Sequence, residues 1–299
     1  MPLTLSILLL AAVAGASAPE TDNPVLADLQ KKGVAMSDAT AFKLPPPIMA
    51  DGLDAAGQRA ALKKVADART PPDELVRKSY YAPVVVKVRT LKSAEDETPS
   101  IRAVDLWFVV HGDWDTLNSK GFLESLFPKE EEGKSRVVSK SGFLTAEEMA
   151  KRNLKVAGGD GREEKFVYST FSLFERVQLS TTRFAVLTRG KNSVLAAAKI
   201  DPRFTKDPDY PNQWRSLLRD ERAEIKLGPA HPYTCAGGYA KVTRLREPAG
   251  AVFIECHLVY EEPYAWFDGA NLVKQKAPLM VQEKVRTFRR KLALASEKK

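Results

Sequence analysis

Only two cysteines occur in 299 residues, and no C-x-x-C pair is among them. A P-loop, a G-x-G-x-x-G after a strand, and a G-x-S-x-G elbow beyond the N-terminal segment are also missing. These gaps remove sequence support for a nucleotide-binding enzyme or an elbow-type hydrolase, and leave open only a triad assembled from distant residues. Past Ala18 no apolar run approaches the ~20 residues that a helical span needs, so the mature chain is expected to be soluble. No Lys or Arg stands in the first six residues, and no Cys follows the first apolar stretch, which argues against a lipid-anchored lipoprotein.

What stands there instead is MPLTLSILLLAAVAGASA, uncharged, apolar without a break from Ile7 to Ala14, and closed by Ala16-Ser17-Ala18. A short apolar core before an A-x-A site has the form of an export signal, here with cleavage after Ala18. The protein is therefore expected to be exported, to the periplasm or the outside. In such a compartment cysteines usually pair. If Glu247-Pro248-Ala249-Gly250 closes a hairpin, however, Cys256 faces a residue near Lys241, and Cys235 lies about 20 Å along the strand, beyond the ~7 Å Cα limit of a bridge. A turn at Gly237-Gly238 would rescue a Cys235–Cys256 disulfide, which stays open as the alternative.

The composition, 44% hydrophobic and 28% charged, is that of a globular protein with enough length for a sizeable core. Its charge is unevenly placed. From Lys274 onward nine basic residues stand against two acidic ones, a surplus of seven out of the formal +8. The remainder is nearly balanced, so a general nucleic-acid surface is not expected. A local basic face near the C-terminus is, and it suits contact with an anionic envelope surface or plain solvation.

Residues 19–82 read as a helical and irregular segment. Asn23-Pro24 caps a helix that Gly33 stops, Leu44-Pro45-Pro46-Pro47 forces an extended stretch, a second helix spans about 54–68 with Leu62 and Val65 inward, and a short third follows Pro71-Pro72. From Pro83 the pattern turns to strands: 84–88, 104–110, 166–179, 184–189, 194–200, 223–227, 239–245 and 252–260, with a helical stretch near 116–127. Ser180-Thr181-Thr182 and Arg189-Gly190-Lys191-Asn192 read as links between antiparallel neighbours. In the last strand Val252, Ile254, Cys256, Leu258 and Tyr260 share one face, and Phe253, Glu255, His257 and Val259 the other. Val281, Val285, Phe288, Leu292 and Ala295 then recur at helical spacing after Pro278, with charged residues between them. The fold class expected is α+β, a curved antiparallel sheet gripping a long C-terminal amphipathic helix, over residues 83–296, with 297–299 as a tail.

Tyr264-Ala265-Trp266-Phe267-Asp268-Gly269-Ala270-Asn271-Leu272-Val273, followed by Lys276-Ala277-Pro278-Leu279 and the helix, resembles the closing section of START-type helix-grip lipid-binding domains. The resemblance implies a lipid or other apolar ligand between sheet and helix, with no cofactor. A lipocalin-type barrel is the nearest rival architecture. Read by face, the ligand lining falls on Phe171, Leu173, Ile254, Leu258, Val285 and Phe288. The alternatives are an interaction or structural protein of the envelope with no cavity, and a helix-grip enzyme of cyclase or hydrolase type using Glu255, His257 or His111.

Two polar clusters invite chemistry. His111-Gly112-Asp113-Trp114-Asp115 sets an imidazole and two carboxylates after a strand end, yet Asp115 before Thr116 reads as a helix cap and Gly112-Asp113 as a turn, so no metal site is expected. Glu255 and His257 share one strand face as an acid/base pair would, but that face reads as solvent-exposed, so no catalytic residue is assigned. His231 shows no evident partner.

Overall fold

A computed structural model describes residues 23–68, 70–92, 98–117, 119, 140–159, 161–219 and 224–297. The export-signal expectation at 1–18, most of the helical stretch expected near 116–127 and the last two residues of the tail lie outside the described residues. The chain enters through α1, Pro24–Lys31, whose cap is Asn23: its side chain accepts from the Leu26 amide, and Pro24 fills a first-turn position that has no amide partner to lose. A two-strand hairpin follows, β1 (Val34–Ala35) with β2 (Ala41–Phe42), too short to announce itself in the sequence. The proline run is extended, and α2, Ala55–Val65, starts at an Asp54 cap and buries Leu62 and Val65. The short α3, Pro72–Leu75, completes the segment.

The rest is one large antiparallel sheet of twelve strands with a long terminal helix, the sheet curved and not closed into a barrel. Its strands are β3 (Val84–Lys92), β4 (Ser100–His111), β5 (Lys140–Phe143), β6 (Gly158–Gly159), β7 (Arg162–Leu173), β8 (Val177–Arg189), β9 (Ser193–Ile200), β10 (Gln213–Arg219), β11 (Ile225–Leu227), β12 (His231–Pro232), β13 (Ala236–Arg244) and β14 (Ala251–Glu262). Neighbours run β3, β4, β14, β13, β9, β8, with β7 along the outer edge of β8. The inner edge of β8 is shared: β10 pairs with Val177–Ser180 and β9 with Arg183–Arg189. At the fork Asn212 accepts from the Thr182 amide and donates to the Asp201 carbonyl, holding the strands apart. Two short helices, α4 (Trp114–Leu117) and α5 (Ala146–Ala150), sit beside the sheet.

Three expected boundaries move. The run 166–179 is two strands, not one: the chain turns at Phe174 and Glu175, both at positive φ, and Ser180-Thr181-Thr182 lies within β8. β-branched threonines favour a strand, while the turn carries no Gly, Pro or Asn to mark it. Gly237 and Gly238 are strand residues, so they offer no turn to rescue a disulfide; a Cβ on Gly237 would meet Val34 and Leu29 at 2.9 and 3.0 Å, so glycine here lets the N-terminal segment press onto β13. The C-terminal helix α6, Leu272–Ser296, begins six residues before Pro278 and runs through it.

Both faces of the sheet are covered. On the concave face Val273, Ala277, Val281, Val285, Phe288 and Leu292 of α6 join one apolar cluster with Val104, Leu106, Phe108 and Val110 of β4 and inward residues of β7, β8, β9, β13 and β14. Each such Val, Leu or Phe contributes about 1.5–3 kcal/mol of burial. On the convex face α1 packs on Val186, Ala197, Tyr239 and Val259, and α2 and α3 pack on Trp107, Val109 and Phe253. The faces of β14 fall as the alternation predicts, but the polar one is not exposed, because the N-terminal segment lies on it.

Candidate functional site

Phe171 and Leu173 end β7, Ile254 and Leu258 stand on the inner face of β14, and Val285 and Phe288 lie one turn apart on α6. The six belong to the same buried apolar cluster, none more than 6% exposed. Phe288 meets the ring of Phe108 edge-on, with centroids 6.2 Å apart. The helix rests closest on β3 and β4, while Phe171 and Leu173 lie on the opposite wing of the sheet.

One polar patch interrupts this apolar face. Register sets Ser169 of β7 opposite Thr181 of β8, and Val167 opposite Arg183, so the three polar side chains share the inner face with Phe171 and Leu179. Arg183 is 3% exposed. Its Nη2 donates to Ser169 Oγ at 3.2 Å, and Ser169 Oγ lies 3.3 Å from Thr181 Oγ1. Arg183 Nε and Nη1 find no acceptor among the described residues. Burial pushes the guanidinium down to about 10.

The convex face carries a second network, placed by register. Tyr239, His257 and Asp105 lie side by side on β13, β14 and β4, and Lys241, Glu255 and Trp107 form the next row. His257 Nδ1 is 2.7 Å from Asp105 Oδ1, its Nε2 is 3.6 Å from Glu255, and its ring stacks on Tyr239 at 4.8 Å. Burial works against a charged His257, but the Asp105 hydrogen bond and the Glu255 charge outweigh it and raise its pKa. Burial likewise opposes the Asp105 carboxylate, and His257 with Arg89 holds it below the usual range. Glu255 accepts from the amides of Ile48 and Met49, the Tyr239 hydroxyl donates to the Pro45 carbonyl, and fully buried Lys241 pairs with Asp51 at 3.0 Å. Every one of these bonds ties the extended stretch 45–51 to the sheet. The expectation that Glu255 and His257 face solvent is thus overturned; they are 0% and 1% exposed, and their partners are backbone amides and charges of the fold.

The other singled-out residues separate. His111 hydrogen-bonds the Val76 carbonyl at 2.8 Å, and burial lowers its pKa. The cap of α4 is Asp113, which accepts from the Thr116 amide, and not Asp115 two residues later. Among the described residues no cluster of His, Cys, Asp and Glu could hold a metal. His231 stacks on Trp214 at 4.3 Å. Cys235 and Cys256 are free thiols on opposite faces: Cys256 lies opposite Ala240, and Cys235 precedes β13 on the convex side. Along α6 most basic residues are exposed, but Arg289 turns inward and donates to the carbonyls of Val109, Tyr80, Ala82 and Pro83. Two open clefts flank the hairpin tip at Ala249-Gly250, one of 780 Å³ beside Asp51 and Arg244, one of 640 Å³ between Tyr81, His111 and the end of α6.

The chain matches no family model and no curated protein sequence. No helix among the described residues is long and apolar enough to cross a membrane. The polar groups that sequence reading missed, Arg183, Asp105, Lys241 and Asp51, carry no local signal, because their partners are distant along the chain. The one hint was an Arg directly before the strand-like run 184–189, behind two threonines.

Proposed function

We propose that the protein binds a lipid or another apolar molecule between the concave face of its sheet and the C-terminal helix, and that the Met1–Ala18 pattern sends it out of the cytoplasm for that role. The observation that carries this reading is the apolar face itself. It runs unbroken by charge from Ile254 and Leu258 to the β3–β4 wing where α6 rests, and reaches Phe171 and Leu173 on a wing that the helix does not cover closely. An open, curved sheet with one helix laid along one side offers two apolar walls to a ligand. The resemblance of residues 264–279 to the closing section of START-type domains supports the same reading.

A second reading, an envelope interaction or structural protein with a filled interior, is favoured by how deeply the six lining residues are buried. Native mass spectrometry of the protein purified from the cells that make it decides between them. An apolar adduct, lost on replacing Leu173 by Asp in a variant that still folds, is the expected result. A bare mass, together with no displacement of a fluorescent apolar probe by fatty acids, alcohols or sterols, overturns the proposal in favour of the second reading.

A further inference from the structure

We infer that the ligand is an apolar acid whose negatively charged head group is taken by Arg183, with Ser169 and Thr181 beside it. This rests on the apolar-ligand reading above and names the chemical class of that ligand. A guanidinium held out of water needs acceptors or an opposite charge, and an unpaired buried charge is among the costliest features a fold can carry. Lys241 has Asp51, Arg102 has Glu262, and Arg289 has four carbonyls; Arg189 also has two nitrogens short of acceptors among the described residues, but it has the Glu163 carboxylate 3.8 Å away as a counter-charge. Arg183 has one serine hydroxyl, and two of its nitrogens point at no acceptor among the described residues.

The position of the patch fits a ligand head group. Ser169 stands two residues from Phe171 on the same face of β7, so an acid bound at Arg183 would lay its chain along Phe171 toward Leu173. Ser169 Oγ accepts from Arg183, and one of the Ser169 and Thr181 protons closes the bond between the two hydroxyls, which leaves the other proton free to donate onward. A carboxylate placed there would gain paired, oppositely charged bonds from the guanidinium and a hydroxyl bond from the pair, while a neutral alcohol of equal length would accept from the guanidinium without the opposite charge.

The test uses the full chain, stripped of bound lipid, titrated by calorimetry with dodecanoate, dodecanol and acetate. Dodecanoate is expected to bind about ten-fold or more tighter than dodecanol, with acetate showing no binding at millimolar concentration. Arg183→Met is expected to bring the acid down to the level of the alcohol, with a much smaller loss for the alcohol itself. If Arg183→Met does not fold, Ser169→Ala serves, with a selective loss for the acid of about three-fold or more. Equal binding of acid and alcohol to the wild type overturns the inference but leaves the apolar-ligand reading standing. Acetate binding as tightly as dodecanoate reduces the patch to a small-anion site and also overturns it. Binding of none of the three overturns the inference, and together with a bare native mass and no sterol displacement it overturns the apolar-ligand reading as well.

Discussion

A histidine with a carboxylate on each side is a familiar catalytic arrangement, yet around His257 both carboxylates are engaged by the fold, and Nε2 stands 3.6 Å from Glu255 in a buried setting. Asp105 is shared with Arg89, and Glu255 receives two amides of the chain that covers it. The charged imidazole is favoured in the folded state, since its pKa is raised from the ordinary 6.5. A raised value means that the stabilisation is fully present below pH 6.5 and is lost as the pH climbs through the folded-state value. The urea midpoint should therefore fall from pH 6.5 toward pH 9, and His257→Gln should flatten that part of the profile; a midpoint that stays level in the wild type would show His257 to be neutral. Asp105 acts at the other end, its depressed value adding stability that disappears only as the pH drops below the ordinary 3.8. Glu255→Ala leaves the amides of Ile48 and Met49 without their acceptor and removes one of the two carboxylates beside His257, and should cost about 3–5 kcal/mol in urea unfolding. A cost under about 1 kcal/mol would mean that water replaces the carboxylate.

Among elements, the terminal helix was the most legible. Val281, Val285, Phe288 and Leu292 repeat at helical spacing, and all four are buried on the sheet. Its start was less legible, because Pro278 looks like a first-turn residue and gives no sign of the six helical residues before it. Arg289 was not legible: it sits beside Phe288 and turns inward because five carbonyl contacts from Tyr80, Ala82, Pro83 and Val109 await it there, all about two hundred residues away in sequence. Just past the end of β4, Gly112 leaves no room for a Cβ, which would lie 2.6 Å from Leu292 Cγ. Gly112→Ala should thus cost about 1–3 kcal/mol by overpacking, and Leu292→Ala about 2–5 kcal/mol by leaving a cavity. The double variant should be less destabilised than the two costs combined, since the new methyl fills part of the space that Leu292 vacates; strict additivity in a double-mutant cycle would separate the two sites.

The whole molecule is three layers: N-terminal segment, sheet and C-terminal helix. Removing residues 23–82 strips the cover from Tyr239, Val259, Phe253 and the Asp105–His257–Glu255 row. A chain starting at Pro83 should bind a hydrophobic dye and lose its cooperative unfolding transition; retention of both would make the N-terminal segment an accessory. The two thiols test the layering from within. Since Cys235 and Cys256 lie on opposite faces, alkylation after denaturation without reductant should modify both, and recovery of an unmodified pair would place a disulfide where the fold has none.

The sequence by itself determined the periodic features: the α+β class, the inner and outer faces of β14, the β13–β14 hairpin closed around Pro248, and the apolar stripe of α6. These are legible because strand alternation and helical spacing are written in neighbouring residues. Only the tertiary structure decided that both faces of the sheet are covered, that Glu255 anchors residues 48 and 49 with His257 buried beside it, and that Arg183 lies in the apolar face short of acceptors. Whether a polar side chain meets water, an amide or an opposite charge is set by segments that arrive from more than a hundred residues away, and no local pattern records which of them does.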